Sequence, residues 1–216
     1  SSTSRGLGDV YKRQIEGLAS PQIGRKLPIY LSIDEMEALI SAIDRSMPQG
    51  ERDYAIVQTL YACGLRVSEL INLKIRDIYQ SDGLIRVIGK GNKERIVPIY
   101  PKALNAIYRY IKEIRSHVEV QKGFEDFVFL NQRGKSLSRV YVFKRIASLA
   151  SKAGIKKRIG PHTLRHTFAT HLIQNGADII VIQSLLGHES ITTTEIYTHL
   201  EQSHLRETVL KFHPRG

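Results

Sequence analysis

A mostly helical domain carrying one small antiparallel sheet, an α+β arrangement, is the fold class this sequence predicts, and three observations predict it. Apolar residues recur at helical intervals through most of the chain, bracketed by cap and stop residues. Between residues 84 and 99 the period changes to two β-rich runs around a glycine-rich turn. No internal repeat or low-complexity tract competes with that reading.

Taken in order, residues 1–14 (SSTSRGLGDVYKRQ) show no helical or strand period and read as a disordered or non-native leader. Ser20 to Pro28, with two prolines and a glycine, reads as a linker, so the main domain is expected to begin near Leu31. Ser32-Ile33-Asp34-Glu35 has capping-box spacing, and Met36, Leu39, Ile40 and Ile43 follow at helical intervals. Met47-Pro48-Gln49-Gly50 is expected to break that helix. A second one follows from about Glu51 to Cys63, burying Tyr54, Val57, Leu60 and Tyr61. Gly64 punctuates it, and a short helix resumes over Val67–Leu73. Leu84–Ile88 and Glu94–Ile99 flank Gly89-Lys90-Gly91-Asn92 and read as a hairpin. Pro101 opens a long helix through Ile114, and Asp126–Leu130 is expected to add a third short strand. Helices are expected at about Leu137–Ala153, from Pro161 to Gln174, from an Asp178 cap to Leu186, and over Ile191–Thr198 and Glu201–Phe212.

Two hundred and sixteen residues can bury a substantial core, and 42% hydrophobic with 25% charged residues is ordinary for a globular chain. The charge balance is less ordinary: 32 Lys+Arg against 21 Asp+Glu gives +11. This excludes an acidic disordered chain and points to a polyanionic partner, nucleic acid first. The charge is concentrated. Phe127 to Ala177 contains no Asp or Glu, yet holds Arg133, Lys135, Arg139, Lys144, Arg145, Lys152, Lys156, Lys157, Arg158 and Arg165. Either these form a solvated basic face or most of them contact phosphates. A single cysteine, Cys63, excludes an intramolecular disulfide and fits a reducing, cytoplasmic location. No apolar run approaches the ~20 residues of a membrane span, and the first residues carry no signal-peptide stretch.

Five features carry chemistry-bearing side chains, and each has an ordinary structural explanation beside the functional one. In Gly64-Leu65-Arg66-Val67-Ser68-Glu69-Leu70, Glu69 is placed to hold the Arg66 guanidinium, as any surface ion pair would. Lys90, between two glycines at a hairpin tip, has the reach to donate a proton or bind phosphate, or serves solubility alone. Pro161-His162-Thr163-Leu164-Arg165-His166 opens a helix with His162 and Arg165 three apart, beside free amides that favour an anion. His188, after Leu185-Leu186-Gly187, reads equally as a helix C-cap, and Tyr197 is a lone tyrosine in a polar stretch. Eight histidines raise the question of a metal, but there is no His-Glu-x-x-His, cysteine pair or carboxylate triad, so no metal is expected.

Together, GLRVSEL (64–70), VIGKGNKERIVPI (87–99), GPHTLRHTFATHL (160–172), LLGH (185–188) and EIYTH (195–199) resemble the tyrosine recombinase, or phage-integrase, family, most closely its bacterial Xer branch. The similarity runs on to His213-Pro214-Arg215. Unrelated chains would not keep all five segments in this order. The resemblance implies a tyrosine recombinase catalytic-domain fold over 31–216 with a C-terminal helix, and a remnant of an N-terminal helical domain plus interdomain linker over 15–30. It implies site-specific DNA strand exchange, in chromosome dimer resolution or by an integrase of a mobile element. A non-catalytic DNA-binding fragment and a type IB topoisomerase-like nicking-closing activity are the rival expectations. Arg66, Lys90, His162, Arg165, His188 and Tyr197 fall on the family's catalytic positions, with Tyr197 as nucleophile and Glu69 supporting Arg66. Arg133, Lys135, Arg139, Lys144, Arg145, Lys156, Lys157 and Arg158 are the expected DNA-backbone contacts. Neither cofactor nor metal is implied. The partners implied are double-stranded DNA, and a homo- or hetero-tetramer assembled on it through helix 201–212, with a partner recombinase.

Overall fold

The computed structural model describes residues 28–187 and 199–216. The segments 1–27 and 188–198 lie outside the described residues. With them lie the expected leader, the linker, the helix over Ile191–Thr198, and the candidates His188 and Tyr197.

Helix α1 (Ile33–Ser41) starts where its capping box dictates: Ser32 Oγ accepts the Glu35 amide at 3.1 Å, and Glu35 Oε2 accepts the Ser32 amide at 2.8 Å. Helix α2 (Pro48–Cys63) begins three residues earlier than expected. Pro48 opens it rather than breaking the previous one, because a first-turn proline gives up only an amide the helix could not bond. From Gly50 to Cys63 every α2 residue is buried, so α2 is the central post of the domain. Gly64 ends it in the left-handed region, φ 59°. A side chain there would be strained by that φ, and its Cβ would stand 2.4 Å from Phe168 Cδ1. Helix α3 is shorter than expected, Val67–Ile71.

The sheet is antiparallel, ordered β1-β2-β3 over Ile78–Tyr79, Leu84–Ile88 and Glu94–Pro98. The hairpin is where the sequence placed it, with Ile88 opposite Glu94 and Lys90–Asn92 as a 3-10 turn at its tip. The third strand is not Asp126–Leu130 but β1, whose two residues are too short to show a period. Val128, Phe129 and Leu130 are buried as a strand would be. Their backbone is engaged elsewhere: the Val128 amide bonds Leu73 O at 2.9 Å, and the buried Arg115 Nε donates to Phe127 O at 2.8 Å. Only isolated bridges, Lys74 to Phe127 and Leu130 to Ser136, remain of the expected pairing.

Helix α4 (Pro101–Glu113) packs its apolar stripe of Ala103, Leu104, Ile107 and Tyr110 on α2. Helix α5 (Arg139–Lys152) starts where Ser138 Oγ caps the Tyr141 amide, and α6 spans Pro161–Gln174 as expected. Helix α7 (Ile179–Leu186) is capped by Asp178 and stopped by Gly187. Helix α8 spans His199–Phe212 and lies against β3, α6 and α7 of its own domain. Leu205 and Val209 are buried there, and Asn175 Nδ2 donates to Phe212 O at 2.6 Å. The apolar face expected to reach a neighbouring protomer is thus occupied within the chain described here.

Two buried histidines are accounted for by the core. His171 donates Nε2–H to Leu31 O and accepts the Tyr61 hydroxyl at Nδ1, both at 2.8 Å. His213 donates to Tyr61 O, and its burial pushes its pKa down to about 3, so it is neutral. Among the described residues no three His, Cys, Asp or Glu side chains lie together as a metal would need. No described helix is long and apolar enough to cross a membrane.

Candidate active site

Three arginines from three elements converge on one buried carboxylate. Arg66 precedes α3; its backbone N–H donates to Glu69 Oε2 at 2.8 Å and its Nη1 to Oε1 at 3.1 Å. Arg95, on β3, donates Nη1 to Oε1 at 2.7 Å and Nη2 to Oε2 at 3.0 Å. Arg165, on α6, stands near enough to Glu69 for its charge to help hold that carboxyl ionised. Among the described residues, three guanidiniums against one carboxylate leave two positive charges uncompensated.

Two helix ends fix these cations. Arg165 donates Nη1 to Gly64 O at 2.6 Å, the C-cap of α2, and Nη2 to Leu186 O at 2.7 Å, the last turn of α7. Arg95 Nε donates to Leu185 O at 2.8 Å on that same turn. The orphan carbonyls and negative dipole ends of α2 and α7 thereby hold Arg165 and Arg95. Burial pushes the Arg165 pKa down to about 10, and the Arg66 and Arg95 charges add to that while Glu69 opposes it. At neutral pH the guanidinium therefore stays charged, inside a field that disfavours its own sign. Glu69 shows the converse. Burial would raise its pKa, but the Arg95 hydrogen bonds and charge, the Arg66 amide and Arg165 outweigh it, and the carboxyl sits below the ordinary glutamate range.

Such a field attracts anions. Sulfate at ten times its dissociation constant is expected to stabilise the protein by about 1.4 kcal/mol. Thermal unfolding with and without sulfate measures this, and Arg66→Ala should remove the rise.

The remaining candidates divide. Lys90 is exposed at the hairpin tip; its neighbour Gly89 abuts the cluster, a Cβ there falling 3.4 Å from Glu69 Oε1. His162 is exposed on the first turn of α6. Partial burial, then His162 and Arg165, lower the pKa of His166, which places all three in one electrostatic neighbourhood. His188 follows Gly187, against which the Arg95 side chain packs, but lies with Tyr197 outside the described residues. Of the expected backbone contacts, Arg133, Lys135, Arg139, Lys144, Lys156 and Arg158 are exposed. Arg145 is held by Asp53, at 2.5 and 2.9 Å, and Lys157 by Glu35 at 2.6 Å.

Arg95 is the site residue that sequence reasoning missed, although it lies within one of the quoted segments. It alternates with Val97 on the buried face of β3. A charge on the apolar side of a strand was the available signal.

The Phage integrase family model matches residues 30–204. The chain is 46% identical over 199 residues to the tyrosine recombinase XerD of Listeria innocua serovar 6a, covering 92% of this chain and 67% of that protein. It is 45% identical over the same length to XerD of Staphylococcus aureus strain Mu50, with the same coverage. Among solved structures, XerA recombinase superposes with a TM-score of 0.69 at 38% identity, over 97% of this chain and 74% of that one. The XerH site-specific recombinase bound to palindromic difH substrate, a post-cleavage complex, gives 0.70 at 31%, over 87% of this chain and 54% of that one. A chain matched by this family model over residues 30–204 and by XerD and XerA recombinases at these identities belongs to the phage integrase family of tyrosine recombinases.

Proposed function

We propose that this chain is a site-specific DNA recombinase of the Xer kind, cleaving and rejoining strands through a 3′-phosphotyrosyl intermediate. The observation that carries the reading is the cluster of three arginines on one carboxylate among the described residues, in which Arg66 and Arg165 are anchored beside the hairpin bearing Lys90. A phosphodiester placed there has its nonbridging oxygens met by two fixed guanidiniums, which stabilise the added charge of a pentacoordinate transition state.

The Tyr197 oxygen attacks phosphorus, the P–O5′ bond breaks, and tyrosine is joined to the 3′-phosphate. A phenol with a pKa near 10 attacks well only as its proton leaves, and His162 is assigned that acid–base task. Lys90 gives a proton to the departing 5′-oxygen, and His188 donates a hydrogen bond to a nonbridging oxygen. A partner strand's 5′-hydroxyl then reverses the step, so phosphodiester energy is retained and neither cofactor nor metal takes part.

The exposed basic residues around α5 track the DNA backbone, which sets register and gives a salt-dependent affinity. The protein works in the cytoplasm on double-stranded DNA, in a tetramer that includes a partner recombinase and is joined through 201–212, after α8 exchanges its own-domain contacts for a neighbour's. Chromosome dimer resolution is the task its 45–46% identity to XerD proteins supports. Residues 31–216 are the catalytic domain, residues 15–30 the end of a preceding helical domain with its linker, and residues 1–14 a leader outside both.

A nicked suicide duplex tests the chemistry. The chain should form a denaturation-resistant protein–DNA adduct, unaffected by EDTA, and Tyr197→Phe should abolish it. An adduct that survives Tyr197→Phe removes the nucleophile assignment, and loss in EDTA brings back a metal.

A further inference from the structure

We infer that Arg95 is a positioning residue for this reaction, setting Arg66 and the end of α7 through one guanidinium; the inference rests on the recombinase reading above. All three of its nitrogens are occupied internally. Nη1 and Nη2 grip the two Glu69 oxygens at 2.7 and 3.0 Å, and Nε grips Leu185 O at 2.8 Å. The residue is 6% exposed, so it has no face to offer DNA.

What it holds is what the chemistry needs held. Each Glu69 oxygen accepts one bond from Arg95 and one from Arg66. With Glu69 fixed from behind, the Arg66 guanidinium is aimed from the front, where its side chain remains 41% exposed. On the other side, Leu185 O ties Arg95 to the turn whose next carbonyl, Leu186 O, anchors Arg165. The Arg95 stem also fills the space over Gly187, where a Cβ would come 3.0 Å from its Cδ. Gly187 is the residue before His188, and its φ of 66° makes any side chain there costly. The base of the Lys90 hairpin is close as well, a Cβ on Gly89 falling 3.7 Å from Nη1. One planar fork thus ties α3, the hairpin and the α7 terminus together. A lysine ammonium is a point charge and cannot reproduce that fork.

A purely structural salt bridge is the competing account, and Arg115 supplies the matched control. It too is buried and bonds backbone carbonyls, Phe127 O and Glu125 O, but it touches nothing in the site. Single-turnover cleavage of the suicide duplex is measured at saturating protein, with affinity measured separately and each variant assayed below its own unfolding midpoint. Arg95→Lys should slow cleavage by about a hundredfold, as a displacement near 1 Å does, while the dissociation constant changes by less than about threefold. Arg115→Lys should keep cleavage within about threefold of wild type. Glu69→Gln, which leaves Arg95 in place, should show the same split between rate and affinity. Adding Arg95→Lys to Glu69→Gln should cost little more, because both remove one linkage. Arg95→Lys cleaving within threefold of wild type, losses of rate and affinity in parallel, or additive losses with Glu69→Gln each overturn the inference alone. A wild-type chain that forms no adduct overturns the proposed function and this inference with it.

Discussion

Arg165→Ala is expected to leave the chain folded and able to bind DNA while slowing formation of the covalent adduct by about a thousandfold. That is the upper range for removing one preorganised donor to a developing charge. The residue's setting argues for so large an effect. Its guanidinium is fixed by Gly64 O and Leu186 O, so reorganisation adds little to the barrier when charge develops at the phosphate. Its pKa of about 10 leaves it charged at neutral pH, and the Arg66 and Arg95 charges that help depress it are relieved when a phosphate arrives. Truncation strands two carbonyls, at about 1–3 kcal/mol each if they stay dry, but also removes a cation the site repels. Folding should therefore survive. Arg165→Lys should recover little, because one ammonium cannot bridge both carbonyls and still face a phosphate in a fixed fork. Suicide-substrate cleavage and gel-shift affinity on the same preparations measure both parts; a rate within tenfold of wild type would contradict the assignment.

Glu69→Ala should be the most damaging single change to stability in the site, costing about 3–5 kcal/mol, as breaking a buried ion pair does. Glu69 is 4% exposed and is the only carboxylate bonded to Arg66 and Arg95 among the described residues. Without it three guanidiniums face one another and the Arg95 fork loses two acceptors. The loss carries a pH signature. The folded-state pKa of Glu69 lies below its unfolded value near 4.3. Its ionised form therefore contributes fully above that pH, and the contribution fades as pH falls through the folded pKa. The gap between wild type and Glu69→Ala in urea denaturation should be widest at neutral pH and narrow below about pH 4. A gap that stays constant down to pH 3 would show that lost packing, not charge, is responsible.

How much of this was legible in the sequence depended on the range of the interactions involved. Local signals worked: the Ser32 capping box and Asp178 ahead of α7 sit within three residues of the amides they accept, and Pro161 opens α6 through its own fixed φ. Pro48 was misjudged because a proline can open a helix as well as break one, and only the path of the preceding loop decides. The Asp126–Leu130 run has strand composition, yet Arg115, from the 3-10 turn Arg115–His117, takes the Phe127 carbonyl that a ladder would use. Motif order identified Arg66, Lys90, His162 and Arg165 as candidates, and short spacing gave Glu69 as the partner of Arg66, but nothing local showed what holds Arg165 or backs Glu69. The Glu69–Arg95 pair joins residues 26 apart, Arg145–Asp53 joins residues 92 apart, and Lys157–Glu35 joins residues 122 apart. No periodicity reports such pairs. Charge density does not report them either: the ten-cation window contains Arg165 but neither Arg66 nor Arg95, which lie where acids and bases are mixed.

The two carbonyls that hold Arg165 belong to residues 101 and 21 positions away. During synthesis a chain extended past Gly64 carries Arg66 and Glu69 with no α6 or α7 to complete their surroundings. The arginine cluster is therefore complete only once α6 and α7, from the last third of the polypeptide, have closed against the end of α2 in the first.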